Sequence, residues 1–272
     1  MDDYFNELKQ AASYVENLGY YPIYVCLAGS QNYGLAIEAD NYHSDLDFKC
    51  VVLPRLEELV QGKEPVSISV SYNGGFIDLK DIRAFMTALF KCNPSYIEAL
   101  YTPHCLAFNE GVELFTELRD HRTNLVRDLA IHFVKALCGS FVKIKAGMRK
   151  RECEYLFGDY DGKSASHLYR LLVLLRNFYK TGDVVLLPSE EDRKFMSYLK
   201  LSIFPKSFVQ SQMAAWDEEM LRSKRLFEKN LPPVTYETKD YLRNVVYNTL
   251  FSFMQTEEGL KRKETQWNTL AS

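Results

Sequence analysis

The chain has 272 residues, of which 47% are hydrophobic and 14% aromatic, enough to build one large core or two ordinary ones. Its 33 Lys and Arg stand against 36 Asp and Glu, a net charge of −3 that excludes a globally basic coat for nucleic acid but leaves room for a local basic groove. Residues 1–10 are acidic and polar, and no apolar run approaches the roughly 20 residues of a membrane span, so a cytoplasmic protein without a membrane partner is expected. The cysteines, Cys26, Cys50, Cys92, Cys105, Cys138 and Cys153, are scattered without a C-x-x-C pair, which reads as free, mostly buried thiols in a reducing compartment.

From the N-terminus, Tyr4, Phe5, Leu8, Ala11, Ala12, Val15 and Leu18 recur at helical spacing and Gly19 follows them, which predicts a packing helix over 3–18 with a glycine stop. The apolar run 21–28 predicts a strand that gives way at Gly29-Ser30. Residues 30–36 should then begin a helix, whose free N–H groups and dipole suit a phosphate. A second β-like run over 46–53 carries Asp47, with Asp45 at its start. Alternate strand residues share a face, so these two carboxylates should project together and hold a hard cation that neither would hold well alone. A lone Gly-Ser or a lone D-x-D is a weak signal; the two in this order, on these elements, are a stronger one.

Pro54 opens a short predicted helix over 55–61, and 66–71 alternates polar and apolar residues before Asn73-Gly74, a hairpin turn signal. The return strand carries Asp78, which in isolation reads as a satisfied sheet-edge carboxylate. Asp81 lies directly ahead of the apolar helical run 82–90 and reads as its N-cap. Asn93-Pro94 marks the start of another helix.

Beyond about residue 105 the strand pattern disappears, and helical periodicity takes over at 110–120, 123–147, 164–181, 189–200, 208–229 and 237–255. The chain therefore divides into a mixed α/β domain over 1–108 and an all-α domain over 109–272, with a cleft expected between them. On the helix through 163–175, Lys163, His167 and Arg170 share a polar stripe opposite Leu168, Leu171, Leu172 and Leu175. Taken bare, that stripe is an ordinary solvated face. Lys143, Lys145, Arg149, Lys150 and Arg151 form a basic cluster partly offset by Glu152 and Glu154, which reads first as solvated and second as a track for RNA or an anionic acceptor.

Gly29-Ser30-Gln31-Asn32-Tyr33-Gly34-Leu35-Ala36 followed by Ser44-Asp45-Leu46-Asp47-Phe48-Lys49 resembles the DNA polymerase β-type nucleotidyltransferase superfamily, in its predicted stand-alone bacterial and phage branch. The spacer is a few residues longer than that branch shows, and the excess, about 38–43, reads as a loop insertion. Asn93-Pro94 is similar to the same branch, as is the Lys163-x-x-x-His167-x-x-Arg170-Leu171-Leu172 helix ahead of Thr181-Gly182. The resemblance covers 20–105 well, 160–182 moderately and the remainder hardly at all. It implies a mixed-sheet nucleotidyltransferase domain followed by helices. The third acid would be Asp78, on a strand antiparallel to the first pair. Nucleotide would be held by Gly29, Ser30, Tyr33, Lys163, His167 and Arg170, and Mg²⁺, with Mn²⁺ as its substitute, by Asp45, Asp47 and Asp78. The implied reaction moves an NMP from an NTP to an acceptor hydroxyl on RNA or tRNA, a protein or a small molecule, with Asp78 doubling as general base. The alternatives are a catalytically silent nucleotide-binding protein on the same scaffold, and a metal-dependent phosphohydrolase drawing on His43.

Overall fold

Leu8, Ala11, Ala12 and Val15 are spaced to line one side of a helix, and they are the buried residues of α1 (Phe5–Asn17) in the computed structural model of the chain, which describes residues 4–39, 42–54, 56–148, 158–231 and 234–256. Gly19, at φ 84°, turns the chain out of the helix. The next strand, β1 (Tyr21–Ala28), is buried from Pro22 onward, which explains why it reads as a continuous apolar run. After it come α2 (Gly29–Asn32), a two-residue ribbon β2 (Glu38–Ala39) and β3 (Tyr42–His43), then β4 (Asp47–Leu53), α3 (Leu56–Val60), β5 (Ser67–Tyr72) and β6 (Gly75–Asp81). The helices α4 (Ile82–Phe90) and α5 (Pro94–Tyr101) precede a short strand β7 (Cys105–Ala107). Helices follow: α6 (Gly111–Asp120), α7 (Arg122–Asp128), α8 (Ala130–Met148), α9 (Gly162–Thr181), α10 (Glu190–Lys200), α11 (Lys206–Asn230) and α12 (Tyr236–Phe253).

The sheet runs β5-β6-β4-β1-β7. β1 is antiparallel to both β4 and β7, whereas β4 and β6 are parallel. This corrects the expected antiparallel placement of the third acid: the chain crosses from β4 through α3 to the edge strand β5, and the Asn73-Gly74 turn, with φ of 45° and 81°, returns it in β4's own direction.

Strand alternation sends the two sheet faces to different cores. Phe48, Cys50, Val52, Ile77 and Leu79 pack with α1. Tyr24, Cys26, Val51 and Leu53 instead join a cluster that continues through Phe85, Ile97, Phe133, Leu171 and Trp216 into the helices. The architecture is thus an α/β arrangement of a mixed sheet followed by helices, and no described residue beyond Ala107 lies in a strand.

Several expectations are adjusted. The predicted 123–147 helix is two, α7 and α8, parted at Leu129. The insertion at 38–43 contains the β2–β3 ribbon. Asp81 caps α4 as read, accepting from the N–H groups of Arg83 and Ala84, and Asn93 caps α5. Cys26, Cys50, Cys92, Cys105 and Cys138 are free thiols, while Cys153 and, from the basic cluster, Arg149, Lys150 and Arg151 lie outside the described residues. Lys145 is paired with Asp217 at 2.8 Å.

Candidate active site

The expected helix over 30–36 is a single turn. Gly34, at φ 65°, reverses the chain, and the Ser30 carbonyl accepts from the Leu35 N–H at 2.9 Å. Gly29 itself sits at φ 67°, and a Cβ there would stand 2.8 Å from Asp47 Oδ2, so only glycine lets the turn lie against that carboxylate. Asp47 opens β4 opposite Ala28 and its Oδ1 accepts from the Phe76 N–H at 3.1 Å.

Asp45 does not share the strand. It lies in the irregular stretch before β4 and is exposed, so its approach to Asp47 is set by the loop and not by strand alternation. That corrects the reading of the pair as two neighbours on one strand face.

Asp78 stands in register with Lys49, on the sheet face that Asp47 also occupies. Its Oδ2 accepts from Lys49 Nζ at 3.0 Å and from the Tyr96 hydroxyl, and the Lys49 ammonium also lies 4.4 Å from the Tyr96 ring centre. Burial works to raise the Asp78 pKa, but Lys49, Tyr96 and Lys80 outweigh it and hold the carboxyl below its ordinary range. A carboxylate held there stays charged near neutral pH. Among the described residues no three carboxylate, imidazole or thiol side chains converge closely enough to form a metal cage of their own.

The stripe on α9 divides. Arg170 is buried, its guanidinium pairing with Glu98 of α5 and stacking 4.1 Å from the centre of the Tyr33 ring, while the Tyr33 hydroxyl donates to the other Glu98 oxygen at 2.6 Å. This network fastens the Gly-Ser turn to α5 and α9. His167 Nε2 lies 3.1 Å from Arg170 Nη2. Arginine can only donate, so Nε2 is the acceptor and the neutral ring carries its proton on Nδ1. The His167 residue is exposed, and partial desolvation of its ring, with Arg170 and Lys163, lowers its pKa to about 3. Of the polar stripe expected on α9, Lys163 and Arg170 are the cations, with a neutral His167 between them. Lys163 is exposed and adds to the lowering of the pKa of both His167 and Lys200 of α10, and Lys200 in turn feels the charge of Asp45.

Set against known proteins, the chain matches no family model and no curated protein. Among solved structures it is similar to a nucleotidyltransferase-like protein from Exiguobacterium sibiricum, at 14% identity and a TM-score of 0.28, over 90% of this chain and 74% of that one. At that level of likeness, function has to be argued from the side chains.

Four side chains carry weight beside the sequence-predicted site residues. Lys49 shares the alternate-residue face of Asp47 and was legible on that ground. Tyr96 and Glu98 follow Asn93-Pro94, which marked their helix but not its orientation. Lys200 gave no local signal, because its partners are Leu35 and Ser44 on a distant loop. His43, the candidate for a hydrolase metal site, is exposed and its Nδ1 lies 2.6 Å from Glu38 on the β2–β3 ribbon.

Two cavities lie away from these groups. One, of about 380 Å³, is bordered by Lys145, Tyr160 and Lys206; the other, of about 650 Å³, lies between α6 and α12 and is bordered by Glu113, Glu117 and Tyr241. Neither includes a residue expected to hold nucleotide or metal, and the first takes Lys145 from the basic cluster.

Proposed function

We propose that the protein is a nucleotidyltransferase that moves an NMP from a Mg²⁺-bound NTP to an acceptor nucleophile with release of pyrophosphate. The observation that carries this reading is the contact of Gly29 with Asp47: a turn that only glycine permits is laid directly against a carboxylate, with Lys49 and Asp78 on the same sheet face. Asp45 and Asp47 supply carboxylate oxygens of the type Mg²⁺ takes, and Mg²⁺ is commonly held by one or two carboxylates together with substrate phosphates and not by an all-protein cage. That habit fits a site whose acids do not form a closed cluster. Asp78 would complete the set once nucleotide draws Lys49 toward its own phosphates.

Bound divalent metal would neutralise charge on the attacking and departing oxygens. The remaining work falls to the chain itself. The Gly29-Ser30 turn receives the β- and γ-phosphates, Lys163 and Lys49 offset their charge, His167 offers Nδ1–H as a neutral donor, and Tyr33, Glu98 and Arg170 keep the turn in place. In this assignment Arg170 acts through the turn and not by touching phosphate.

The silent-scaffold alternative keeps the turn but loses the chemistry, and the hydrolase alternative would bring a metal to Nε2 of His43, whose Nδ1 is engaged with Glu38. Incubation with each labelled NTP and Mg²⁺, with bulk RNA, tRNA, protein and small-molecule acceptors and with none, separates the three. Label transferred to an acceptor or to the protein supports nucleotidyl transfer. Phosphate release alone supports hydrolysis, and binding without turnover supports the silent scaffold.

A further inference from the structure

Lys200 ends α10 and is buried; its ammonium donates to the Leu35 carbonyl at 2.9 Å and to Ser44 Oγ at 3.1 Å. Among the described residues it forms no ion pair, an unusual state for a buried lysine. Burial and the neighbouring Lys163 lower its pKa to about 8, against the opposing pull of Asp45. A leucine at this helix end would fill space without that cost, so the charge calls for an explanation in what it holds.

What it holds is the loop between the Gly-Ser turn and the first acid. The Leu35 side chain seats against Val173 of α9 and Met196 of α10 while its carbonyl takes one Lys200 bond. Ser44 is fixed on two further sides: its N–H donates to the Ile37 carbonyl at 3.0 Å, and its Oγ accepts from the Ile37 N–H at 2.8 Å. The residue after Ser44 is Asp45, which has no strand to position it.

We propose that Lys200 is a positioning residue for Asp45: from α10 it pins both ends of the 35–44 loop, and through Ser44 it sets where the Asp45 carboxylate stands relative to Asp47. The proposal rests on the reading of Asp45 as a ligand of the nucleotide-bound cation. Lys200 does not need to touch phosphate in this role, since two of its three donors are already used within the protein.

The test pairs amide hydrogen exchange of the metal-free protein with binding of Mg²⁺ and each of the four ribonucleoside triphosphates in turn, for Lys200→Met, Ser44→Ala, the double variant and Lys200→Arg. Lys200→Met, which loses two charge-assisted bonds, and Ser44→Ala, which loses one of them together with the bond from the Ile37 N–H, should each speed exchange at the residue-44 amide by about tenfold or more, with β1 and β4 unchanged. Each should weaken nucleotide binding, the double variant no more than the worse single, and Lys200→Arg should restore part of it. Because Ser44→Ala also removes the acceptor of the Ile37 N–H, the residue-44 amide and not that of Ile37 is the readout in that variant, and it decides the matter if Lys200→Met fails to fold. Unchanged exchange in both single variants overturns the proposal, as does weaker binding by Lys200→Met without faster exchange, which would make Lys200 a direct phosphate contact. If the wild type binds none of the nucleotides, the functional reading fails while the exchange result still judges whether Lys200 orders the Asp45 loop.

Discussion

Asp47 is the residue on which the site turns, because its carboxylate is held from β6 by the Phe76 N–H and covered by Gly29 with no room for a methyl group. Gly29→Ala would impose a left-handed backbone on an ordinary residue, at about 1–2 kcal/mol, and would also push Asp47 aside. Urea unfolding should register that loss of stability, and a nucleotide titration should register a larger fractional loss of binding. An Ala variant with wild-type binding would show that the close contact is incidental. His167 gives a second residue-scale expectation. Its folded pKa lies below the ordinary 6.5, so the folded state favours the neutral ring. The corresponding stability is present above pH 6.5 and is lost as pH falls toward the folded value, because the ring must then charge beside Arg170 and Lys163. Thermal unfolding of wild type should therefore fall more steeply below pH 6.5 than that of His167→Gln; parallel curves would mean that the ring is not held neutral.

At the scale of elements, α5 is the crosspiece. It sends Tyr96 to Asp78 on the sheet, and Glu98 to Arg170 on α9 and Tyr33 on the turn. The Glu98–Arg170 pair is buried on both sides, so breaking it leaves a lone charge in the interior. Arg170→Ala is expected to destabilise the fold by about 3–5 kcal/mol, and the double change Glu98→Leu with Arg170→Met to recover much of that loss. Chemical denaturation of the three proteins checks this, and an Arg170→Ala protein as stable as wild type would remove the pair from the account. This differs from what the α9 stripe alone suggests, namely a loss of activity with the fold intact. The stripe's period was legible at 163, 167 and 170, but the sequence does not say which member is taken up by a carboxylate from another helix. The strands, by contrast, were legible because alternation, the Asn73-Gly74 turn and Asp81 as a cap all act within a few residues of one another. The direction of β6 relative to β4 depends on a crossover, and no local pattern encodes it.

At the scale of the whole molecule, the sheet and the helices share a core. Tyr24, Cys26, Val51 and Leu53 are covered by the same cluster that contains Phe133, Leu171 and Trp216. A fragment limited to 1–108 would leave that sheet face bare, and it is expected to lack cooperative unfolding and fixed tertiary signals in near-ultraviolet circular dichroism. A cooperatively folded fragment would instead make the helices an appended unit. The change from α/β to helical patterning was plain along the sequence, whereas the shared core and the Lys200 tie to the Asp45 loop arise from residues far apart in the chain.

Thermal unfolding with Mg²⁺ and each NTP, in wild type, Asp47→Asn and Asp78→Asn, tests the nucleotidyltransferase reading of this site most directly. Ligand bound only by the folded state at a hundred times its Kd adds about 2.7 kcal/mol of stability. Wild type should therefore gain melting temperature with metal and one or more of the nucleotides together, and with neither alone to the same extent. Asp47→Asn should lose the gain. Asp78→Asn should keep most of it while losing transfer, and it should start from a lower melting temperature because Lys49 has lost its partner. No shift with any nucleotide in wild type, or a full shift in Asp47→Asn, would contradict the assignment of Asp47 as the carboxylate that receives the metal-bound nucleotide.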